Sequence, residues 1–198
     1  MNENTLIELI GASMTYLSVV SAVKEQRVTW LWAILSAAFY AYIYWSAGLW
    51  VSAEVQVVYF GISLYGLARW QKDTTTQQPK EQIKSGTYRT HLQTVLAIVV
   101  LTSALVYFNR LFKDAEWLIF DATLVAISIV AQWLMAKKYL GCWYLWIIVN
   151  LGYLSLFVLQ ELWISLALYL VLFYFILKGF REWHYKFSMI KNDSIHIP

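Results

Sequence analysis

Seven runs of roughly twenty apolar residues, separated mostly by short polar turns, leave this chain few folds to choose from. A backbone inside lipid must satisfy its own hydrogen bonds, which only helices and closed barrels do. The runs are too long and too uniformly apolar for the alternating pattern of barrel strands. The sequence therefore predicts an all-α membrane protein with seven transmembrane helices. The spans are Thr5–Val23, Val28–Ala47, Trp50–Trp70, His91–Phe108, Glu116–Ala136, Gly141–Leu159 and Leu162–Gly179. Composition agrees, since 60% of residues are hydrophobic and 14% charged, against about 25% charged in a soluble domain. Four of the gaps are a few residues long, so the helices they join form antiparallel hairpins. The longest gap, Gln71–Thr90, is polar around Thr74-Thr75-Thr76-Gln77-Gln78-Pro79 and reads as a flexible linker. The tail after Trp183 is basic and polar, without a helical period.

Charge sets the expected orientation. Thirteen of the fifteen Lys and Arg lie in or beside the connections after helices 1, 3 and 5 and in the C-terminal tail. Only Arg110 and Lys113 lie on the other side. The positive-inside rule then places the N-terminus outside and the C-terminus in the cytoplasm. The net charge of +3 is explained by the inner leaflet, with membrane lipid as the partner and no nucleic acid required. Glu3 and Glu8 near the start leave no basic region for a cleavable signal peptide.

A shift of 113 residues lays Trp30 on Trp143, Tyr40 on Tyr153, and Leu49-Trp50 on Leu162-Trp163. It also lays Gly66-x-x-x-Trp70 on Gly179-x-x-x-Trp183, Lys24 on Lys137, and Glu8 on Asp121. Residues 5–70 and 116–183 are thus expected to be two three-helix repeats. Residues 71–115 would hold the linker, helix 4 and an outer loop, and 184–198 a cytoplasmic tail. Four spans separate matching helices, so the repeats are expected to run parallel in a 3+1+3 plan. That is a transporter arrangement, with access alternating as the halves rock.

Polar residues inside such spans are costly and tend to face a cavity or one another. On helix 6, Trp143, Trp146 and Asn150 share one face and cover roughly 10 Å of axis. Two indoles beside an amide suit a flat, cationic ring with a polar edge, although indoles near helix ends also mark the membrane interface and an amide also joins helices. On helix 3, Gln56, Tyr59 and Ser63 share a face, and Gln56 and Tyr59 join the substrate-binding candidates. Glu8, Glu54, Asp121 and Gln132 are possible charge or gate residues. Asp121 and Gln132 share a face of helix 5 roughly 16 Å apart. Glu8 and Asp121 are equally explained as carboxylates favoured near helix N-termini.

No catalytic residues are expected, so the chain is read as no enzyme. His91, His184 and His196 form no metal motif, and no phosphate-binding loop is present. Neither a metal nor a cofactor is expected. The single Cys142 rules out an intrachain disulfide.

Taken together, Gln56-Val57-Val58-Tyr59, Ser63-Leu64-Tyr65-Gly66 with Trp70, Asp121-Ala122, Ala131-Gln132-Trp133-Leu134, and Trp143-x-x-Trp146-x-x-x-Asn150 resemble the PnuC family of vitamin transporters. The resemblance runs from about Glu8 to Trp183. It implies a 3+1+3 helix plan akin to the SWEET sugar transporters, a homotrimer, and residence in the bacterial inner membrane. It also implies facilitated diffusion of a vitamin precursor that cytoplasmic phosphorylation then traps. Gln56 and the Trp143, Trp146 and Asn150 face match the family's substrate-binding positions. Nicotinamide riboside is the first expected substrate and thiamine the alternative, with riboflavin less frequent. Helix 3 ends Tyr65-Gly66-Leu67-Ala68-Arg69-Trp70, where riboside members tend to read Tyr-Gly-Trp-Tyr-x-Trp, which keeps thiamine open. A non-transporting vitamin-binding subunit or sensor is the alternative class.

Overall fold

The computed structural model describes residues 3–46, 50–75, 82–110, 118–159, 161 and 163–195. It contains α1 (Glu3–Val23), α2 (Val28–Ser46), α3 (Trp50–Thr75), α4 (Tyr88–Arg110), α5 (Leu118–Ala136), α6 (Gly141–Leu159) and α7 (Trp163–Ile195). Among the described residues there is no strand beyond one isolated bridge. By length and composition α2, α4, α5 and α6 can each cross a membrane. The described apolar part of α1 is Leu9–Val23, while α3 and α7 carry ionisable residues such as Glu54, Arg69, Lys178 and Arg181. α4 has no buried residue, and Leu92, Val95, Leu96, Val99 and Val100 are about half exposed or more. A helix apolar on every side and unburied is solvated by lipid, not water.

The chain divides into two units, Met1–Lys80 and Glu81–Pro198. In the first, α1 packs on α2 and α2 on α3. In the second, α4 packs on α5, α5 on α6, and α6 on α7.

Matching local features recur at the 113-residue offset. At the end of α1, Glu25 takes a left-handed φ of 54°. Its N–H donates to Ala22 O, and the Gln26 N–H donates to Ser21 O, both at 3.0 Å. At the end of α5, Lys138 has φ 55°, its N–H donates to Met135 O, and the Tyr139 N–H donates to Leu134 O. Both are Schellman caps that satisfy the last carbonyls and turn the chain into the next helix. A second shared device follows. The Trp30 indole lies against Gly66 and meets Trp70 edge-on at 5.3 Å, and the Trp143 indole lies against Gly179 and meets Trp183 edge-on at 5.5 Å. All four rings are buried. Each glycine is needed because a Cβ there would enter the facing indole.

The geometry recurs while the chemistry of two hydroxyl contacts does not. Between α1 and α2, Thr29 Oγ1 donates to Ser18 O at 2.6 Å, and the Thr15 and Ser36 hydroxyls meet at 2.7 Å. Such hydroxyl bonds hold helices together where lipid removes the hydrophobic drive. The matching residues in the second unit are Cys142, Ala131, Ser128 and Val149, all buried, and Ser128 bonds back to Val125 O of its own helix.

Two connections differ from their sequence reading. The tail, expected to lack helical order, continues α7 to Ile195. Neither Gly nor Pro follows Gly179 until Pro198, and Trp183 is held against Trp143 on α6, so the helix has no reason to stop. The Gln71–Thr90 linker is less free than its composition implies. Residues 71–75 continue α3, and 76–81 lie outside the described residues. Beyond them the Lys84 N–H donates to Lys138 O and the Leu140 N–H to Lys84 O, both at 2.9 Å, with Ile83 buried beneath. α4 then starts behind Thr87, whose Oγ1 accepts from the Thr90 N–H at 3.3 Å, an N-terminal cap. Lys84→Pro removes the first of the strap's donors, a loss of about 1 kcal/mol. Proteolytic cleavage of the α3–α4 connection is expected to accelerate roughly 5-fold in the variant, from that same loss. Unchanged cleavage would show that these bonds do not hold the segment.

Candidate substrate site

α6 places Trp143, Trp146 and Asn150 within two turns, as their spacing requires. The structure gives them different surroundings. Trp143 is seated on Gly179 in the seat that Trp30 occupies on Gly66, which accounts for its ring as a wedge between α6 and α7. Trp146 is half-buried and Asn150 is 3% exposed. The indole nitrogens of Trp143 and Trp146 and the amide oxygen of Asn150 are all buried without a hydrogen-bond partner among the described residues. An unpartnered buried acceptor or donor costs about 1–3 kcal/mol. The wedge indole Trp30 carries the same unpartnered nitrogen as Trp143, so an unmet bond points to a ligand only where packing does not already account for the residue.

The repeat separates scaffold from candidate site. The wedge residues are identical in both units. At the positions matching Trp146 and Asn150 the first unit has Ala33 and Ala37. Small apolar residues suffice there for helix packing. The indole and the amide of α6 are additions that the fold itself does not demand.

α3 carries the first unit's candidates. Gln56 and Tyr59 are half-buried, and Ser63 is fully buried with its hydroxyl unpartnered. Its counterpart in α7 is the buried, purely apolar Ile176. Spacing puts Ser63 on the face of Gln56 and Tyr59 but does not mark it as a binding candidate. Only burial reveals that its hydroxyl has no partner, because an exposed helical serine can bond its own backbone as Ser103 and Ser155 do.

The charge and gate candidates have different surroundings. Asp121 is exposed in the first turn of α5, where a carboxylate is favoured by the helix dipole, and accepts a long 3.3 Å bond from the Tyr153 hydroxyl. Gln132 is half-buried toward the other end of α5. Glu54 is exposed on α3. The Glu8 side chain lies outside the described residues.

A multi-pass helical membrane protein with unpartnered polar groups buried on one apolar helix is a solute transporter in form. A family model described as nicotinamide mononucleotide transporter matches residues 5–185, and the chain belongs to that family. It is similar to the nicotinamide riboside transporter PnuC of Escherichia coli (strain K12), at 25% identity over 202 residues covering 89% of this chain and 84% of that protein. It is 32% identical over 161 residues to the nicotinamide riboside transporter PnuC of Neisseria mucosa, covering 78% of this chain and 60% of that one. The riboflavin/roseoflavin transporter RibM of Streptomyces davaonensis is 24% identical over 174 residues, covering 83% of this chain and 79% of that protein. The crystal structure of the vitamin B3 transporter PnuC superposes with a TM-score of 0.74 at 25% identity, covering 95% of this chain and 84% of that one.

Proposed function

We propose that the protein carries nicotinamide riboside across the membrane, with Trp146 and Asn150 as its principal contacts. The observation that carries this reading is the pair of buried, unpartnered polar atoms on α6, the Trp146 indole nitrogen and Asn150 Oδ1. The substrate's chemistry complements them. Its pyridinium ring is a flat aromatic cation suited to an indole face. Its carboxamide offers an N–H to Asn150 Oδ1, and its carbonyl and ribose hydroxyls can accept from an indole N–H. Gln56, Tyr59 and Ser63 are proposed as the first unit's substrate contacts, and Trp143 as the support that fixes the angle of α6. Asp121 and Gln132 are kept as charge or gate positions.

The same reading includes seven crossings in the 3+1+3 plan, with the N-terminus outside and the C-terminus in the cytoplasm. The repeated caps and wedges support the two three-helix halves, and the Lys and Arg distribution supports the orientation. Transport is by facilitated diffusion, made one-way by phosphorylation of the substrate in the cytoplasm. The assembly is a homotrimer in the bacterial inner membrane, in keeping with the family.

Calorimetric titration of the purified protein with nicotinamide riboside, thiamine and riboflavin tests the substrate. The riboside is expected to bind tightly and the other two weakly. Thiamine is also an aromatic cation but has no carboxamide, and riboflavin is neutral and bulkier. Tight binding of thiamine or riboflavin alone would overturn the assignment. Trp146→Ala is expected to weaken riboside binding about 10-fold or more, from the loss of roughly 1–2 kcal/mol of cation–π contact. An unchanged affinity would remove Trp146 from the site.

A further inference from the structure

The hairpin of α2 and α3 holds a cavity of about 570 Å³ lined by Ala41, Tyr42, Trp45, Ala53, Glu54 and Val57. Tyr42, Trp45 and Val57 are 61–66% exposed, and Glu54 is exposed beside them. The Glu54 carboxylate has neither a hydrogen bond nor an ion pair among the described residues, and no Lys or Arg lines the cavity. Ala53 is buried and forms an apolar floor. The groove therefore combines aromatic faces, a carboxylate with no counter-charge among the described residues and an outward opening, on a hairpin whose α2 is long and apolar enough to cross a membrane.

The second unit supplies an internal control. The matching positions on α6 and α7 are Leu154, Ser155, Val158, Leu166, Ala167 and Leu170. Ser155, Val158, Ala167 and Leu170 are exposed, as are Tyr42, Trp45, Glu54 and Val57. The same face of the same hairpin thus needs only aliphatic residues and one hydroxyl to meet its surroundings. In the first unit it carries a tyrosine, a tryptophan and a carboxylate instead. The repeat does not account for them.

We propose that this groove is a second binding site, occupied by the ammonium group of an amine-bearing phospholipid headgroup. Glu54 neutralises the ammonium, Tyr42 and Trp45 flank it with their ring faces, and Val57 and Ala53 meet the upper acyl chains. A carboxylate facing lipid without a counter-charge is expensive, and a cation held against aromatic faces gains most when partly desolvated. Tyr and Trp are also the residues that settle at headgroup depth. A cavity of this size accepts a headgroup and part of its chains. The outward opening favours a lipid over a soluble cation, because lipid reaches this surface laterally and continuously.

Native mass spectrometry of the delipidated full-length protein, with phosphatidylethanolamine or phosphatidylglycerol added at equal concentration, tests the proposal. The wild-type protein is expected to retain phosphatidylethanolamine at least 5-fold over phosphatidylglycerol. Glu54→Gln is expected to reduce that preference to near parity. Trp45→Leu, which leaves the carboxylate in place, should lower retention by a smaller factor. Equal retention of the two lipids by the wild-type protein overturns the proposal. So does displacement of bound phosphatidylethanolamine by nicotinamide riboside, which would give the groove to a soluble cation. A preference that survives Glu54→Gln in folded protein would also overturn it, by placing the amine elsewhere.

Discussion

Asn150→Leu is expected to abolish nicotinamide riboside uptake while the protein still folds and reaches the membrane. The two side chains share a branched shape and the same number of heavy atoms, with leucine the bulkier, and Asn150 is almost fully buried. Its Oδ1 has no hydrogen-bond partner among the described residues, so their packing does not depend on that atom. Leucine is among the least costly residues in a membrane helix, and replacing an unpartnered polar group by an apolar one of similar shape is neutral or stabilising. The substrate's amide N–H, by contrast, would enter a buried site and find no acceptor. The lost bond and the stranded donor together amount to about 3 kcal/mol, or roughly a 100-fold loss of binding. Uptake of labelled riboside by cells, normalised to the transporter in the membrane fraction, gives the readout. Normal uptake would remove Asn150 from the site.

Gly179→Ala is expected to act in the opposite way, on the fold. The added Cβ would enter the Trp143 indole, which is pinned between α6 and α7 and closed on its edge by Trp183. Trp143 is 1% exposed, so its ring has little room to move aside. Overpacking of this kind costs about 1–3 kcal/mol, or a fall in Tm of roughly 2–10 °C for a chain of this size. Gly66→Ala meets Trp30 in the same way, with a Cβ 2.5 Å from the ring, and should lower Tm comparably. If both variants melt with the wild type, the two tryptophans are not wedges and the structural equivalence of the repeats fails at its best-defined point.

Much of this arrangement is legible in the order of the residues. α6 has the predicted bounds, Gly141–Leu159, because its apolar run ends abruptly at both sides. α1, α3 and α4 differ only at their ends, and the expected bounds Ala47, Glu116 and Leu162 lie outside the described residues. The 113-residue offset is visible because tryptophan is rare enough for coincident pairs to be informative, and caps and wedges recur at that offset. Spacing does not divide the aromatic face of α6. Trp143 and Trp146 look alike in sequence, and only the contact with Gly179 marks the first as packing. Ser63 escapes notice as a site residue because a helical hydroxyl is normally satisfied by its own backbone, and sequence does not report where that fails. The Lys84 strap is invisible in sequence because backbone bonds to a distant turn leave no side-chain signature. The end of α7 is hard to place because polar, basic residues look like a tail unless the residue that precedes them, Trp183, is known to be anchored.

Riboside flux into proteoliposomes is the most direct test of the transporter reading. Purified protein is reconstituted without any ion gradient, and labelled nicotinamide riboside is supplied outside. Facilitated diffusion predicts entry until internal and external concentrations match, and net accumulation only when a riboside-phosphorylating enzyme and its phosphoryl donor are enclosed. Tight binding with no entry in either case would contradict transport and identify a membrane vitamin-binding subunit or sensor.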